Sequence, residues 1–243
     1  KHEPVSDELI GGRVYRAVEY RKYFRRDDTD CERLIFGEAD LLPGVIADRF
    51  GDAIVMQTLA LGMEKYEGII AQTLIDIIKP KTLVLRNDDP VRTKEGMKLF
   101  SETFYGDRIR KTIFKENGII FETDLFSGQK TGGFLDQKAN HRRIRPFVNG
   151  KKVLDCFTYS GGFALNAIAG GASEVTAVDI SGDAIASASR NAELNDIKNI
   201  TFINENAFDF LREAAARKAK YGVIVLDPPA FTKSKASLSG AVR

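Results

Sequence analysis

The sequence predicts an α/β protein with a doubly wound, mostly parallel sheet in its second half and a smaller α+β domain in its first half. From Val153 onward, short apolar runs alternate with helical periodicity in the order β-α-β-α-β-α-β, which is typical of a parallel sheet with helices on both faces. In the first half, apolar runs are paired across turn residues, which favours hairpins. We therefore predict one domain over 1–125 and a second over 126–243.

The first domain is predicted to contain two hairpins, with a helix and a strand between them. Gly51-Asp52 and Glu116-Asn117-Gly118 separate the paired runs, and Gly adopts the conformations that tight turns need. Apolar residues recur at helical spacing before Pro80, which ends the helix. The predicted strands are 45–50, 53–59, 82–86, 110–114 and 119–123, and the predicted helix is 66–78.

The second domain is predicted to contain four strands and three helices. The strands are 153–155, 175–179, 200–203 and 223–227, and the helices are 163–169, 183–195 and 208–220. Ser181 is a suitable cap for the second of these helices. The fourth strand is continuously apolar, as a strand buried on both faces would be, but we expect it to be an uncovered edge in this chain.

The composition limits the classes of function. Two cysteines and two histidines are too few for a disulfide framework or a metal cluster, so no metal is expected. No run approaches the roughly 20 apolar residues of a membrane helix, so we expect no membrane association and a cytoplasmic, reducing location. The formal net charge is only +2, so the charge of the whole chain does not indicate nucleic acid.

Polar or glycine-rich residues follow each strand of the second domain. Asp155 precedes the Gly161-Gly162 turn, Asp179 and Asp227 end the second and fourth strands, and Asn206 follows the third. Ligands of parallel sheets bind at this edge, and an acid at the second strand end is placed to accept the hydroxyls of a ribose. The G-x-G-x-x-G pattern of dinucleotide sites is absent. In an alternative interpretation, the glycines only turn the chain and the acids only cap helices.

The ordered set of strand-end residues resembles that of the class I S-adenosylmethionine-dependent methyltransferases. The run 153–162 resembles their first motif, Asp179 and Asn206-Ala207 match the next two, and Asp227-Pro228-Pro229-Ala230-Phe231 resembles the fourth. Two further runs, 127–137 and 34–52, are similar to the large-subunit ribosomal RNA methyltransferases that form 5-methylcytosine. The resemblance implies a Rossmann-like sheet and S-adenosyl-L-methionine as cofactor.

The same resemblance implies which residues bind the cofactor. Asp155 and the two glycines would approach its methionine part, Asp179 would hold the ribose, and Asn206 would bond the adenine amino group, although the family often has Asp there. The implied residues are Lys130, Thr131, Phe134, Asp155, Tyr159, Gly161, Gly162, Asp179, Ile180, Asn206, Ala207, Asp227 and Pro228. Of these, Lys130, Thr131 and Phe134 would close over the cofactor.

The expected chemistry needs a thiolate that this sequence does not supply. Cytosine C5 is a poor nucleophile, so the family first adds a cysteine to C6. Cys156 adjoins Asp155, whose charge raises a thiol pKa, and Cys31 is expected to be inert. We expect the nucleophilic cysteine, and roughly three further strands, beyond Arg243. The small RNA-binding domain with which members of the family usually begin is missing from this sequence. Related enzymes have another cysteine at the position of Ala230.

Asp227 is predicted to be catalytic, by orienting the flipped base. Two other functions remain open. One is a guanine methyltransferase of the same RNA, and the other is a non-catalytic RNA-binding module with a vestigial cofactor site.

Two basic clusters suggest the partner. In the run 20–26, basic side chains alternate with aromatic ones, and 141–145 is a second basic cluster. Cations neutralise phosphates and aromatic rings stack on bases, so ribosomal RNA is the predicted partner, with a homodimer also open. The predicted RNA-binding residues are Arg21, Lys22, Arg25, Arg26, Arg142 and Arg143. Alternatively, both clusters are solvated surface.

Overall fold

A computed structural model describes residues 5–128 and 130–229. The chain forms two compact units that divide between Asp136 and Gln137, whereas the sequence placed the boundary after residue 125. Within the described residues, no helix is both long and apolar enough to span a bilayer.

The first unit is built on a five-stranded mixed sheet. Its strand order is β1-β2-β3-β4-β5, and all neighbours are antiparallel except β3 and β4. Strands β6 and β7 form a separate antiparallel hairpin. The elements are α1 (Asp7–Lys22), β1 (Cys31–Phe36), β2 (Val45–Phe50), β3 (Ala53–Thr58), α2 (Leu61–Glu64), α3 (Glu67–Ile78), β4 (Thr82–Asn87), α4 (Val91–Lys94), β5 (Phe100–Gly106), β6 (Lys111–Glu116) and β7 (Ile119–Asp124).

Both predicted hairpins, helix α3 and strand β4 are therefore confirmed. Helix α1 and strands β1 and β5 were not predicted. Ser6 caps helix α1, because its side chain accepts the N–H of Leu9 at 3.2 Å. The helix buries Ile10, Val14 and Val18 in the same apolar core as α3 and the sheet.

The second unit is a parallel sheet of order β10-β9-β8-β11. Alternate residues of β8 enter different cores. Val153 packs with Ala164 of α7, and Leu154 packs with Ala207 of α9, so helices cover both faces as predicted. The elements are α5 (Lys138–Arg143), α6 (Arg145–Val148), β8 (Lys152–Cys156), α7 (Gly162–Ala169), β9 (Glu174–Asp179), α8 (Gly182–Leu194), β10 (Ile200–Asn204), α9 (Ala207–Ala216) and β11 (Val223–Leu226).

The predicted end of the third helix of this unit was wrong. Helix α9 stops at Ala216 rather than at residue 220, because Lys218 adopts a left-handed conformation with φ of 54°. Strand β11 is apolar throughout, and its Ile224 and Leu226 are half exposed within the described part of the chain. The cap by Ser181 is confirmed, because its side chain accepts the N–H of Ala184 at 3.3 Å.

Candidate cofactor site

The four parallel strands of the second unit end at one edge of the sheet. Cys156 pairs with Val178 on one side and Leu226 on the other, and Asn204 pairs with Asp179. The predicted polar strand-end residues of this unit therefore lie along a common edge. Carboxyl ends of parallel strands are the usual place for a ligand in such a sheet.

The loop between β8 and α7 has an alternating left-handed backbone. Phe157, Tyr159 and Gly161 have φ of 64°, 50° and 85°. This conformation suits Gly161 but costs about 1–2 kcal/mol at each of the other two residues. The folded unit stabilises it through hydrogen bonds, including one from the Gly161 N–H to the Thr158 carbonyl at 2.9 Å.

Asp179 is fixed by backbone donors. One carboxylate oxygen accepts the N–H of Tyr159 at 2.9 Å, and the other accepts the N–H of Ser181 at 2.9 Å. The side chain is half-buried, and each oxygen retains a second lone pair. A carboxylate held in this way can accept hydroxyl groups without first being ordered.

Asp155 is buried with only one of its oxygens satisfied. Its Oδ2 accepts the hydroxyl of Thr158 at 2.6 Å and the N–H of Ala164 at 3.0 Å. Its Oδ1 is buried and has no hydrogen-bond partner. Burial raises the pKa of Asp155 to about 7, with the charge of Asp227 acting in the same direction and that of His141 against it. A buried acceptor of this kind fits a ligand that brings a polar donor.

Cys156 is a buried strand residue and a poor nucleophile. Burial raises the pKa of its thiol to about 11, and the adjacent Asp155 adds to the effect. The sequence analysis named the charge of Asp155, and burial is the larger of the two effects on this pKa. Cys31 is also buried.

The two glycines of the turn make room for protein atoms. A Cβ on Gly161 would lie 3.3 Å from Ala188 and from Leu165. A Cβ on Gly162 would lie 2.4 Å from the imidazole ring of His141, which also packs edge-on against Phe163 with centroids 4.6 Å apart. The sequence analysis left open whether the glycines let a ligand approach or only turn the chain, and it did not predict these contacts with side chains.

The sequence analysis missed the position of His141. That residue was read as part of a basic surface cluster, but α5 places its ring against the first turn of α7. The contact between His141 and Gly162 joins residues that are far apart in sequence, so no local sequence pattern predicts it.

The residues at the other strand ends differ in their hydrogen bonding and exposure. Asn206 caps α9, and its side-chain oxygen accepts the N–H of Phe208 at 2.9 Å, so only its second lone pair is left for an adenine amino group. Ala207 is buried, whereas Ile180 is 67% exposed and offers an apolar surface beside Asp179. Asp227 and Pro228 are exposed at the end of β11.

The three predicted lid residues lie in the first unit. Lys130 pairs with Asp136 at 2.8 Å and lies over the ring of Phe134 at 4.4 Å from its centroid. Thr131 is buried and donates to Asp48. Their approach to a cofactor stays a prediction. Gln129, Ala230 and Phe231 of the quoted motifs lie outside the described residues.

The cations of the first basic cluster are all paired within the chain. Arg21 makes a two-pronged ion pair with Asp40, with both N···O distances 2.6 Å. Lys22 pairs with Glu19, Arg25 with Glu32, and Arg26 with Asp28. The aromatic rings of this segment are exposed, Tyr23 to 85% and Phe24 to 65%. In the second cluster, Arg142 is half-buried and Arg143 is exposed.

Comparison with known proteins adds a family. Residues 93–243 match the family model described as S-adenosylmethionine-dependent methyltransferase. Ribosomal RNA large subunit methyltransferase I of Aeromonas salmonicida (strain A449) is 39% identical over all of this chain and 62% of its own length. The protein of that name from Escherichia coli (strain K12) is 37% identical over 99% of this chain. The chain thus spans about 62% of the length of these relatives.

Solved structures share the fold at lower identity. The protein SMU.776, described as a methyltransferase complexed with SAH, aligns over 97% of this chain and 61% of its own, with a TM-score of 0.84 and 24% identity. A SAM-dependent methyltransferase from Agrobacterium tumefaciens aligns over 86% of this chain and 62% of its own, with a TM-score of 0.63 and 23% identity.

Proposed function

The chain belongs to the S-adenosylmethionine-dependent methyltransferase family, and from that membership we propose that it binds S-adenosyl-L-methionine and methylates a base of large-subunit ribosomal RNA, at C5 of cytosine. The names of the relatives at 37–39% identity support the RNA substrate. The observation that carries the proposal is the pair of strand-end acids. The carboxylate of Asp179 is oriented by two backbone N–H donors, and Asp155 has a buried oxygen without a hydrogen-bond partner.

Each residue of the edge has a proposed task. Asp179 accepts the ribose hydroxyls, and Ile180 lies against the adenine. Asp155 and the Gly161-Gly162 turn hold the methionine end, and Asn206 contacts the base edge of the adenine. That Lys130, Thr131 and Phe134 close over the cofactor remains a prediction from the family resemblance. When bound, the cofactor supplies an activated methyl group on a positive sulfur.

Asp227 is proposed to orient the target base. Its carboxylate is exposed at the carboxyl end of β11, where it can accept a hydrogen bond from an exocyclic amine. In cytosine the ring carbon that bears this amine is bonded to C5. The carboxylate would therefore hold the ring without itself reacting.

The C5 assignment requires a thiolate from outside this chain. Both of its cysteines are buried, and the raised pKa of the Cys156 thiol opposes ionisation. We propose that a cysteine elsewhere in a longer protein attacks C6. The same burial favours a second candidate, methylation of a guanine of the same RNA, because that reaction needs no thiolate.

We propose that both basic clusters contact RNA, but through different interactions. In 20–26 the cations are already paired with acids, so stacking on the exposed rings of Tyr20, Tyr23 and Phe24 would contribute most. In the second cluster, the exposed guanidinium of Arg143 and its neighbour Arg142 would contact phosphates.

Methyl transfer to ribosomal RNA separates the candidates. The protein is incubated with unmodified large-subunit RNA and labelled S-adenosyl-L-methionine, and the product nucleoside is identified by mass spectrometry. 5-Methylcytosine is expected from a protein that includes the proposed cysteine. A methylguanine would establish the second candidate, and RNA binding without cofactor binding would leave only a binding module.

A further inference from the structure

A cavity of about 370 Å³ lies on one face of the sheet in the first unit. Successive residues of a strand alternate between the two faces of a sheet. Met56 and Leu85 pack in the apolar core with α1 and α3, so the residues that follow them, Gln57 and Arg86, face the opposite way. The side chains around the cavity include those of Ile46, Gln57, Leu59, Arg86, Asp88 and Pro90.

Arg86 is buried beside this cavity without a full set of hydrogen bonds. Its side chain is only 6% exposed, and a buried charge is costly unless it is well paired. It donates to the carbonyls of Ser127 and Gly128 at 3.3 and 3.2 Å and to Oδ2 of Asp88 at 3.2 Å. Charged donors usually bond at about 2.7–2.9 Å. Within the described residues its Nε has no partner, so the guanidinium lacks an acceptor that a ligand can supply.

The other lining groups favour a flat, neutral ligand over an anion. The carboxylates of Asp88 and Asp89 line the same cavity and oppose the entry of a phosphate. Gln57 gives one amide N–H to the carbonyl of Arg86 at 3.1 Å, which leaves a second N–H and an acceptor oxygen on its side chain. The volume is at the lower end of the range for small-molecule sites. Apolar contact is provided by Ile46, Leu59 and Pro90.

We propose that this cavity binds an unpaired guanine of the RNA, with Arg86 donating to its O6 or N7 and Asp88 accepting from its N1 and 2-amino groups. Arg is the commonest specific partner of O6 and N7. Of the four RNA bases, guanine alone has an exocyclic carbonyl beside two N–H donors on its pairing edge. This inference rests on the proposed RNA substrate and adds a base contact in the first unit, separate from the cofactor edge of the second.

Three small ligands test the assignment by isothermal titration. Guanosine 5′-monophosphate carries the 2-amino group, xanthosine 5′-monophosphate has a carbonyl in its place, and ribose 5-phosphate has no base. They are titrated into the wild type, Asp88→Asn and Asp76→Asn. Asp76 is an exposed acid of α3, on the other side of the sheet, and its variant is the matched control.

The wild type and Asp76→Asn are expected to bind guanosine monophosphate at least about tenfold more tightly than the other two ligands, the scale of a bidentate base contact. Asp88→Asn should reverse the preference towards xanthosine monophosphate, because its amide N–H can donate to the 2-carbonyl. A general loss of structure cannot produce that reversal. Equal binding of guanosine monophosphate and ribose 5-phosphate by the wild type, or an Asp88→Asn variant that keeps the wild-type preference, would overturn the inference.

Filter binding of large-subunit ribosomal RNA by the same wild-type protein separates this inference from the proposed function. RNA binding without a preference for guanosine monophosphate would remove the guanine site and leave the proposed function standing. A preference for guanosine monophosphate without RNA binding would overturn the RNA source of the base, and the proposed RNA substrate with it.

Discussion

At the scale of single residues, replacing Asp179 gives the most direct test of the proposed ribose contact. Its carboxylate is oriented by the N–H groups of Tyr159 and Ser181. Replacing Asp179 with Ala should weaken S-adenosylhomocysteine binding by about 1–3 kcal/mol, the scale of hydrogen bonds to a charged group. Asp183→Ala, an exposed acid in the first turn of α8, should leave the affinity as it is. Equal affinities in titration would rule out the ribose contact.

Asp155 should make the stability of the fold depend on pH. Burial raises its pKa from 3.8 to about 7, so the folded state binds this proton more tightly than the unfolded state. Its contribution to stability is fully present below about pH 4 and is lost as the pH rises towards 7. Asp155→Asn removes that loss, so the variant should gain up to about 4 kcal/mol relative to wild type between pH 4 and pH 8.

Urea denaturation at the two pH values measures this difference, with Asp183→Asn as the control. A parallel pH dependence in wild type and Asp155→Asn would mean that the carboxyl titrates normally. The same substitution should weaken S-adenosylhomocysteine binding, since Asp155 is proposed to hold the methionine end of the cofactor.

Sequence alone could name the acids but not their surroundings. Asp155 and Asp179 lie at the carboxyl ends of strands, and the periodicity of the sequence predicts that position. The unpartnered Oδ1 of Asp155 and the ring of His141 over Gly162 depend on packing between distant segments. The ion pair between Arg21 and Asp40 is hidden for the same reason, which is why the first basic cluster looked free to bind phosphate.

At the scale of elements, two helices of the second unit begin with glycine for different reasons. A Cβ on Gly162 of α7 would overlap the His141 ring, whereas one on Gly182 of α8 would meet only Asn204 at an ordinary 3.5 Å. Gly162→Ala should therefore destabilise the fold by about 1–3 kcal/mol through overpacking. Gly182→Ala should cost little. Equal denaturation midpoints for the two variants would show that the ring moves aside freely.

The elements were predictable where the pattern was regular. The hairpin at Gly51-Asp52 and the alternation of the second unit follow from turn residues and periodicity. Helix α1 was not predicted, and only its last three residues, 20–22, belong to the run that was interpreted as a binding cluster. The end of α9 depends on the left-handed Lys218, a residue type that gives no warning of that conformation.

At the scale of the whole molecule, the two basic clusters should respond differently to salt. Arg142→Glu with Arg143→Glu should lower RNA affinity and flatten its dependence on log salt by about one to two units, because phosphate contacts release counterions. Tyr23→Ala with Phe24→Ala should lower affinity by about 1–3 kcal/mol per lost stack with little change in slope. Filter binding across a salt series distinguishes them, and an unchanged slope in the first pair would identify those arginines as solvated surface.

Hydrogen–deuterium exchange with and without S-adenosylhomocysteine tests most directly whether the cofactor binds at the carboxyl edge of the parallel sheet. Protection is predicted in the loop 156–163, at 179–184 and at 204–208, where the strands β8, β9 and β10 end. The β6–β7 hairpin should show none and serves as an internal reference. Protection that avoids all three segments, or that is absent at saturating ligand, would contradict the assignment of this edge as the cofactor site.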